Sequence, residues 1–533
     1  MRQRKIMSMI GGLTLAAGLL LAAPAAHADQ APTPPAEFTT DWHDPVTAAP
    51  PVAVPGTRSC EVTLAEAQFR DFTPYKGSYA PPKECGTRWN KVVLRLEGKV
   101  KGRQYDRLGH LSVGGVEILR TSTPEPSPDG IAWTVEKDVT RYRDVLSRPQ
   151  PVEMLIGNVV NETYTGVIDV RVTLAFHTAQ GPVKPAAGTP DRVLPLTDGT
   201  LTTPRNTERV LAEVYATGSG GGCEEFWYLT VPDAAPYSCK ATDGPYREVQ
   251  ISVDGQLAGI AAPFPHVWTG GWSNPFLWYV TPAPRAFDVQ PVVYDLTPFA
   301  AVLNDGRAHR VEVSVAGVPA GQSGWSVPAN VLLWQDEGSK VVNGALDRHE
   351  AGVPHNSAVY KAGSPDVLEA AGGHTLTVAG HLNTSHGRVS TTVTRTVENT
   401  STHRWGADEN PDALTAAWRD DETVTVGRTA TRTHRAYTMD GEITIDAGNR
   451  LRTVLTIGDR ASVDVVRDGR RLSWSRLDDT YTGDAAFTLG VPREQRHAVG
   501  TSAERYRTYG SGGCYDRSLK TVQGTLVEDL RRC

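Results

Sequence analysis

Short runs in which apolar and polar residues alternate are the feature that most constrains the fold. The run KVVLRLEGKV at residues 91–100 places Val92, Leu94 and Leu96 on one face of a strand, with charged side chains on the other face. Similar runs recur along the chain, and turn residues such as Asp-Gly pairs separate them. Long amphipathic helical patterns are nearly absent. The sequence therefore predicts an all-β protein built from sandwiches or barrels.

Two proline-rich stretches divide this pattern into segments. A chain of 533 residues is too long for one hydrophobic core, so several domains are expected. We predict a signal peptide (1–28), a Pro-rich segment (29–58), a first β-sandwich (59–180), a Pro-rich linker (181–206), a second β-sandwich (207–336) and a C-terminal β-rich region (337–533).

The first residues have the pattern of an export signal. MRQRK is basic, an apolar Gly- and Ala-rich stretch follows it, and AHA ends at Ala28, where a small-residue cleavage site is expected. A membrane anchor is the alternative. The stretch is short, however, and no other segment reaches about 18 apolar residues. We therefore expect a secreted, extracellular protein with no membrane partner.

Six cysteines fit the oxidising environment of an exported protein. Nearness in sequence suggests three local disulfides, joining Cys60 to Cys85, Cys223 to Cys239 and Cys514 to Cys533. Other pairings stay open, because the spacing of cysteines does not fix their connectivity.

Several function classes lack their usual signature. The net charge is -6 and no long basic block occurs, so a nucleic-acid partner is not expected. There is no Gly-x-Ser-x-Gly, His-Glu-x-x-His or Gly-x-x-x-x-Gly-Lys motif, and no Cys-x-x-Cys pair. The histidines show no ligand-like spacing. We therefore predict no metal and no cofactor.

Three stretches carry residues suited to chemistry or recognition. Tyr105, Asp106 and Arg107 stand together before a predicted strand; a surface ion pair is the plainer interpretation. GGGCEEFWYL at residues 220–229 holds two adjacent glutamates, which a strand would direct to opposite sides. APFPHVWTGGWSNPFLWYV at residues 262–280 is rich in tryptophan; it predicts either a packed aromatic cluster or a sugar-binding cleft.

These stretches, in this order, resemble the peptide:N-glycanase A family, the plant and bacterial glycoamidases, and a bacterial member is expected. The resemblance rests on GRQYDRLGHLSVGGVEILRTSTPEP, IAWTVEKDVTRY, NETYTGVIDVRVTLAF, EEFWYL, GPYREVQISVDGQLAG, PFPHVWTGG and DLTPFAAVLNDG, which span roughly residues 60–334. A fainter similarity to the peptide:N-glycanase F type implies two eight-stranded jelly rolls. We therefore expect two adjacent jelly-roll-type β-sandwiches plus a C-terminal β domain.

The resemblance also implies which residues act. Its aromatic-Asp-Arg motif falls on Tyr105, Asp106 and Arg107, although Leu108 replaces a further aromatic residue, and its Cys-x-Glu motif falls on Cys223 and Glu225. A third family glutamate would fall near Asn158, where no carboxylate occurs, so its role is either lost or taken by Glu162. We expect Asp106 and Glu225 to be catalytic; the expected substrate-binding residues are Tyr105, Arg107, Phe226, Arg247, His266 and Trp268.

The implied reaction is hydrolysis of the amide bond between asparagine and the first N-acetylglucosamine of an N-glycan. Two acids and no metal suit it, because one carboxylate can deprotonate water while a second acid or a cation stabilises the developing charge. The expected partner is an N-linked glycopeptide or glycoprotein, and a monomer is expected. An endo-glycosidase with two carboxylates and a non-catalytic glycan-binding protein are the alternatives.

Overall fold

The computed structural model describes residues 42–86, 88–178, 188–219 and 222–533. The predicted signal peptide and the first part of the Pro-rich segment lie outside these residues. The chain is mostly β, as expected, and its strands form several small antiparallel sheets and one large C-terminal sheet.

The first sandwich contains two four-stranded antiparallel sheets, ordered β1-β8-β3-β6 and β2-β7-β4-β5. Its strands are β1 (Ser59–Phe69), β2 (Tyr75–Tyr79), β3 (Trp89–Val100), β4 (Leu108–Val113), β5 (Val116–Ser122), β6 (Ile131–Asp138), β7 (Gln150–Ile156) and β8 (Ile168–Thr178). This order is that of an eight-stranded jelly roll. Side chains alternate between the core and the outside, as in β6, where Ile131, Trp133 and Val135 are buried.

The second sandwich repeats this order, with sheets β10-β16-β13-β14 and β15-β11-β18-β9 and a small pair β12-β17. Its strands are β9 (Arg192–Leu196), β10 (Thr200–Leu201), β11 (Thr207–Val214), β12 (Thr217–Gly218), β13 (Glu248–Val253), β14 (Gln256–Ala261), β15 (Val292–Asp295), β16 (His309–Ala316), β17 (Trp325–Ser326) and β18 (Ala329–Gln335).

The predicted linker 181–206 therefore needs a correction. Its second half supplies β9 and β10, because the apolar residues Val193 and Leu201 are buried in the second sandwich. Residues 181–187 lie outside the described part of the chain.

The helices of the described residues are short and lie in loops. They are α1 (Arg143–Leu146), α2 (Ala300–Leu303) and the 3-10 helices Lys83–Cys85, Thr140–Tyr142, Cys223–Leu229, Pro275–Leu277, Thr297–Phe299, Ala407–Glu409 and Arg493–Gln495.

The C-terminal region is one antiparallel sheet of eleven strands, in which neighbours in sequence are mostly neighbours in space. Its strands are β19 (Asn343–Ala351), β20 (His355–Lys361), β21 (Asp366–Thr384), β22 (Gly387–Trp405), β23 (Asp412–Val426), β24 (Thr429–Ile445), β25 (Arg450–Arg467), β26 (Arg470–Thr488), β27 (Val499–Gly510), β28 (Gly513–Val522) and β29 (Thr525–Arg531).

One face of this sheet packs on the long loop between β14 and β15. Two glycines make the approach possible, since a Cβ at Gly483 would lie 2.8 Å from Leu277 and one at Gly500 would lie 2.7 Å from the Phe276 carbonyl oxygen. The Arg285 guanidinium also makes two hydrogen bonds to Asp459, of 2.6 and 2.8 Å. The sheet thus supports a loop of about 30 residues that has little regular structure of its own.

The two sandwiches meet at β5, which is buried along its whole length. The Ser122 amide donates to the Ala286 carbonyl, and the Val289 amide donates to the Arg120 carbonyl. The β14–β15 loop of the second sandwich therefore pairs with β5, the edge strand of the first sandwich. The buried charges pair with each other, because Arg120 donates to Glu117 at 2.7 Å. Glu117 and Arg120 thus stand three residues apart because they form an ion pair at the interface between the sandwiches.

All three predicted disulfides are present, joining Cys60 to Cys85, Cys223 to Cys239 and Cys514 to Cys533. Their Cα–Cα distances of 5.7, 5.3 and 5.8 Å lie in the usual range for such bridges.

Candidate active site

The β4–β5 hairpin brings Asp106 and Glu125 to the same end of the first sandwich. Leu108 pairs with Ser122 at the open end of the hairpin. The pairing continues beyond the strands, because the Thr123 amide donates to the Arg107 carbonyl at 2.9 Å. Asp106 therefore lies opposite the segment that carries Glu125, and both side chains are half-buried.

A loop of the second sandwich closes over these two carboxylates at Gly270. A Cβ placed on Gly270 would lie 2.6 Å from Asp106 Oδ1 and 2.8 Å from Glu125 Oε1, so both oxygens face the same glycine. The Thr269 hydroxyl fixes the loop by donating to the Thr123 carbonyl at 2.7 Å. Any side chain at position 270 would displace the carboxylates.

Glu225 reaches the site from the 3-10 helix Cys223–Leu229 of the second sandwich. The expectation of a strand here was wrong: Trp227, Tyr228 and Leu229 are buried in succession, which a helical turn with a bend at Phe226 allows. The Cys223–Cys239 disulfide ties the start of this helix to the loop that follows it.

The neighbouring Glu224 has a structural role. Its carboxylate accepts two hydrogen bonds from the buried Arg247, of 2.9 and 2.7 Å, and one from the Trp325 indole at 2.6 Å. One of the two adjacent glutamates thus lies in the core and the other is half-buried, although a 3-10 helix and not a strand separates them.

The three carboxylates perturb one another electrostatically. Burial, followed by the charge of Glu225, raises the pKa of Asp106 to about 6, while the Gly270 amide opposes this shift by hydrogen bonding. Burial and then the charge of Asp106 raise the pKa of Glu125 well above its usual value. At neutral pH Asp106 is therefore ionised, and Glu125 keeps its proton to higher pH than an ordinary glutamate.

Aromatic and cationic side chains form the exposed rim beside Asp106. Tyr105 is 49% exposed, and its ring packs on Tyr164 with 5.0 Å between centroids. The Arg103 guanidinium lies 5.7 Å from the Tyr164 ring. Arg107 is half-buried and donates to the Gln104 side-chain oxygen. Tyr105 is thus exposed at this rim, and Arg107 is partly exposed beside it.

Other predicted substrate-binding residues lie in the core, so the prediction does not fit their positions. Arg247 is 2% exposed and its guanidinium is occupied by Glu224 and by the carbonyls of Gly244 and Tyr246. His266 and Trp268 are each 6% exposed and stack in parallel at 4.8 Å. Burial lowers the pKa of His266 to about 3, so its ring is neutral.

These buried residues support the site from beneath. Trp268 packs with Tyr215 and Val289 under Leu108, the residue that begins β4. Phe226 is half-buried and packs against the main core. The aromatic stretch is therefore a packed cluster, which was the plainer of its two interpretations.

Sequence reasoning missed Glu125, Gly270, Tyr164 and Tyr279 as members of the site. Tyr279 donates to Glu125 Oε2 at 3.4 Å. Asn158, where the resemblance would place a third glutamate, has a structural role. Its side chain is buried and donates to the carbonyls of Phe69 and Gly166. Glu125 supplies a third carboxylate, whereas Glu162 is exposed.

One group among the described residues has the geometry to hold a metal ion, formed by Glu208, Asp336 and His386. Asp336 already accepts hydrogen bonds from Ser385 and from the Gly338 amide, which explains its placement without an ion. None of the three carboxylates of the candidate site belongs to this group.

The arrangement suits general acid–base chemistry. An ionised Asp106 can take a proton from water, and a protonated Glu125 can give one to a leaving group. Both carboxyls lie between the two sandwiches, against Gly270, where solvent screening is weaker than at an open surface.

Comparison with known proteins assigns the chain to a family. A family model described as "Peptide N-acetyl-beta-D-glucosaminyl asparaginase amidase A" matches residues 50–351. The peptide-N4-(N-acetyl-beta-glucosaminyl)asparagine amidase A of Prunus dulcis is 32% identical over 340 residues, which cover 56% of this chain and 58% of that protein.

Two solved structures have low similarity. PNGase F, described as a glycosylasparaginase from Flavobacterium meningosepticum, is 12% identical with a TM-score of 0.35, covering 52% of this chain and 96% of that chain. PNGF-II is 15% identical with a TM-score of 0.35, covering 52% and 65%. TM-scores this low do not assign a family, whereas the family model spans more than half of the chain. The chain therefore belongs to the peptide N-acetyl-beta-D-glucosaminyl asparaginase amidase A family.

Proposed function

We propose that this protein hydrolyses the amide bond that joins asparagine to the first N-acetylglucosamine of N-glycans on glycopeptides or glycoproteins. The observation that carries the proposal is the pair of carboxylates, Asp106 and Glu125, that face Gly270 with the charge of Glu225 nearby. Family membership supports the same reaction.

The proposed reaction begins with water. Glu225 orients the water. Asp106 accepts a proton from the water while the water oxygen forms a bond to the asparagine amide carbon. Arg107, whose charge acts on both Asp106 and Glu125, stabilises the developing oxyanion. Glu125 then donates its proton to the amide nitrogen as the carbon–nitrogen bond breaks. The products are an aspartate in the peptide and a glycosylamine, which water converts to free sugar and ammonia.

A defined N-glycopeptide in heavy-oxygen water tests the proposal by mass spectrometry. Amide hydrolysis yields a peptide with a new aspartate that carries heavy oxygen. An endo-glycosidase leaves one N-acetylglucosamine on asparagine, and a binding protein leaves the peptide unchanged. Either of the last two results would overturn the proposal.

We further propose that the protein is an exported monomer of bacterial origin. Three disulfides and the basic and apolar pattern of residues 1–28 support export. No helix among the described residues has the length and apolarity needed to cross a membrane. N-terminal sequencing of the protein recovered from culture medium tests export, and its mass in solution tests the monomeric state.

A further inference from the structure

The segment of residues 42–52 crosses three parts of the molecule as an extended strap. The Ala132 amide of the first sandwich donates to Asp44 at 2.8 Å. The Val46 amide donates to the Val280 carbonyl of the β14–β15 loop at 3.1 Å. The Ala48 amide donates to Glu504 of the C-terminal sheet at 3.3 Å. The strap therefore connects both sandwiches and the sheet.

The strap begins with an aromatic contact that leads to the candidate site. Trp42 is 5% exposed and stacks face to face on Tyr279, with 3.9 Å between ring centroids and 9° between planes. The phenol of Tyr279 donates to Glu125 Oε2 at 3.4 Å. The Arg493 guanidinium lies 5.5 Å from Trp42 on the C-terminal side. Trp42 thus contacts Tyr279, the residue whose hydroxyl binds the Glu125 carboxyl.

We propose that Trp42 is a positioning residue for the reaction, which acts through Tyr279 to hold the Glu125 carboxyl and to exclude water from it. The inference rests on the proposed function. A face-to-face indole fixes the plane of the phenol ring, and therefore the direction of its hydroxyl. Without Trp42 the ring can turn, and water can enter beside Glu125.

The proposal makes the pH dependence of Glu125 a readout. The titratable and charged groups that act on Glu125 are Asp106, Arg103, Arg107, Tyr105 and Tyr279. Burial is the largest cause of its raised pKa, and the hydrogen bond from Tyr279 opposes it to a smaller extent. Entry of water therefore lowers the pKa of Glu125 even though the hydrogen bond is weakened. The alkaline limb of the activity profile then moves to lower pH, because Glu125 loses its proton earlier.

The test uses the full exported chain and a defined glycopeptide. We expect Trp42→Ala to lower kcat by about 10-fold with KM nearly unchanged, and Trp42→Phe to restore most of it. Adding Trp42→Ala to Tyr279→Phe should cause little further loss, because the first residue acts through the second. Additive losses, or a wild-type pH profile in Trp42→Ala, would overturn the proposal.

Matched controls separate positioning from simple tethering. Asp44→Ala removes another anchor of the same strap, and Trp474→Ala removes an aromatic ring from the distant part of the C-terminal sheet. Both should leave the pH profile unchanged. Equal shifts in Asp44→Ala and Trp42→Ala would show that the strap only tethers, and would also overturn the proposal.

A second readout does not depend on activity. Carbon NMR of the Glu125 carboxyl should show a lower pKa in Trp42→Ala and an unchanged one in Asp44→Ala. A wild-type protein that releases no glycan would contradict the proposed function alone. An unchanged Glu125 titration in Trp42→Ala would contradict the role of Trp42 alone.

Discussion

At the residue scale, burial and neighbouring charge decide which carboxyl of the site holds a proton. Asp106 adds to the raised pKa of Glu125 through its own negative charge, so Asp106 is the first of the two to ionise. In the proposed reaction Glu125 is therefore the proton donor. Two identical functional groups would then take opposite parts in that reaction because their surroundings differ.

Asp106→Asn is the most direct test of the general base. Asparagine has nearly the same shape but cannot accept the proton of water, and loss of such assistance costs about 10²–10⁴ in rate. We expect this loss in kcat with glycan binding and melting temperature nearly unchanged. If Asp106 only formed a surface pair with Arg107, turnover would stay normal and stability would change by about 0–1 kcal/mol.

Glu225→Gln is predicted to change both the rate and its pH dependence. The amide can still orient water, so kcat should fall less than in Asp106→Asn. Removing the negative charge takes away one cause of the raised pKa of Asp106, which is about 6. The acid limb of kcat/KM, where activity rises with pH as Asp106 ionises, should therefore move below pH 6. A limb that stays in place would mean that the two carboxylates do not interact.

Gly270→Ala tests the close approach of the two sandwiches. The added methyl group would lie within 3 Å of an oxygen of both Asp106 and Glu125, so these side chains must move. We expect kcat to fall by about 10²-fold, the cost of a small misplacement of catalytic groups. Gly512→Ala is the control, since a Cβ there meets nothing within 4 Å. Equal activity in the two variants would contradict the geometry.

At the scale of elements, the pairing of Asp106 with Glu125 could have been predicted from the sequence. The Gly114-Gly115 turn lies between β4 and β5, and both glycines have positive φ, at 60° and 81°. Counting outward from such a turn brings residue 106 opposite the segment that follows Ser122. The alternating runs predicted the strands of both sandwiches for the same reason, because the pattern of a strand is local.

The resemblance implies a role for Glu225, which stays a prediction, but the sequence did not predict the 3-10 helix that carries this residue. Aromatic residues favour strands, whereas here contacts distant in sequence determine the conformation. Glu224 and Arg247 are 23 residues apart, and only the folded chain shows that they pair. The core positions of His266 and Trp268 were equally hidden, since tryptophan-rich stretches form either clefts or cores.

The Cys223–Cys239 disulfide should link stability and activity within one element. Replacing both cysteines by serine should lower the free energy of unfolding by about 2–4 kcal/mol. It should also lower kcat, because Glu225 lies two residues beyond Cys223. The Cys514–Cys533 pair is the control: it joins β28 to the C-terminus, so its loss should cost stability alone. Denaturant unfolding and steady-state rates of both double variants measure these effects. Equal rates in the two variants would contradict a link between the Cys223–Cys239 disulfide and activity.

At the scale of the whole molecule, the C-terminal sheet is part of the active-site architecture. The long β14–β15 loop carries Gly270 and Tyr279 to the site. The C-terminal sheet packs against the opposite side of this loop. The Asn274 amide donates to the Ala485 carbonyl at 2.9 Å, and the Trp278 ring stacks on Tyr481 at 4.9 Å. A segment with so little regular structure needs such partners to keep one conformation.

The Arg285–Asp459 pair, in which Asp459 is buried and Arg285 mostly so, tests this support. Asp459→Ala leaves the mostly buried Arg285 guanidinium without its carboxylate, which should cost about 3–5 kcal/mol of stability and lower kcat through the loop. Asp484→Ala is the matched control, because Asp484 makes the same two-fold contact to Arg452 on the same sheet, but at an exposed position. That change should cost about 0–1 kcal/mol and leave turnover normal. Melting temperatures and rates that fall equally in both variants would mean that the sheet does not support the site through this pair.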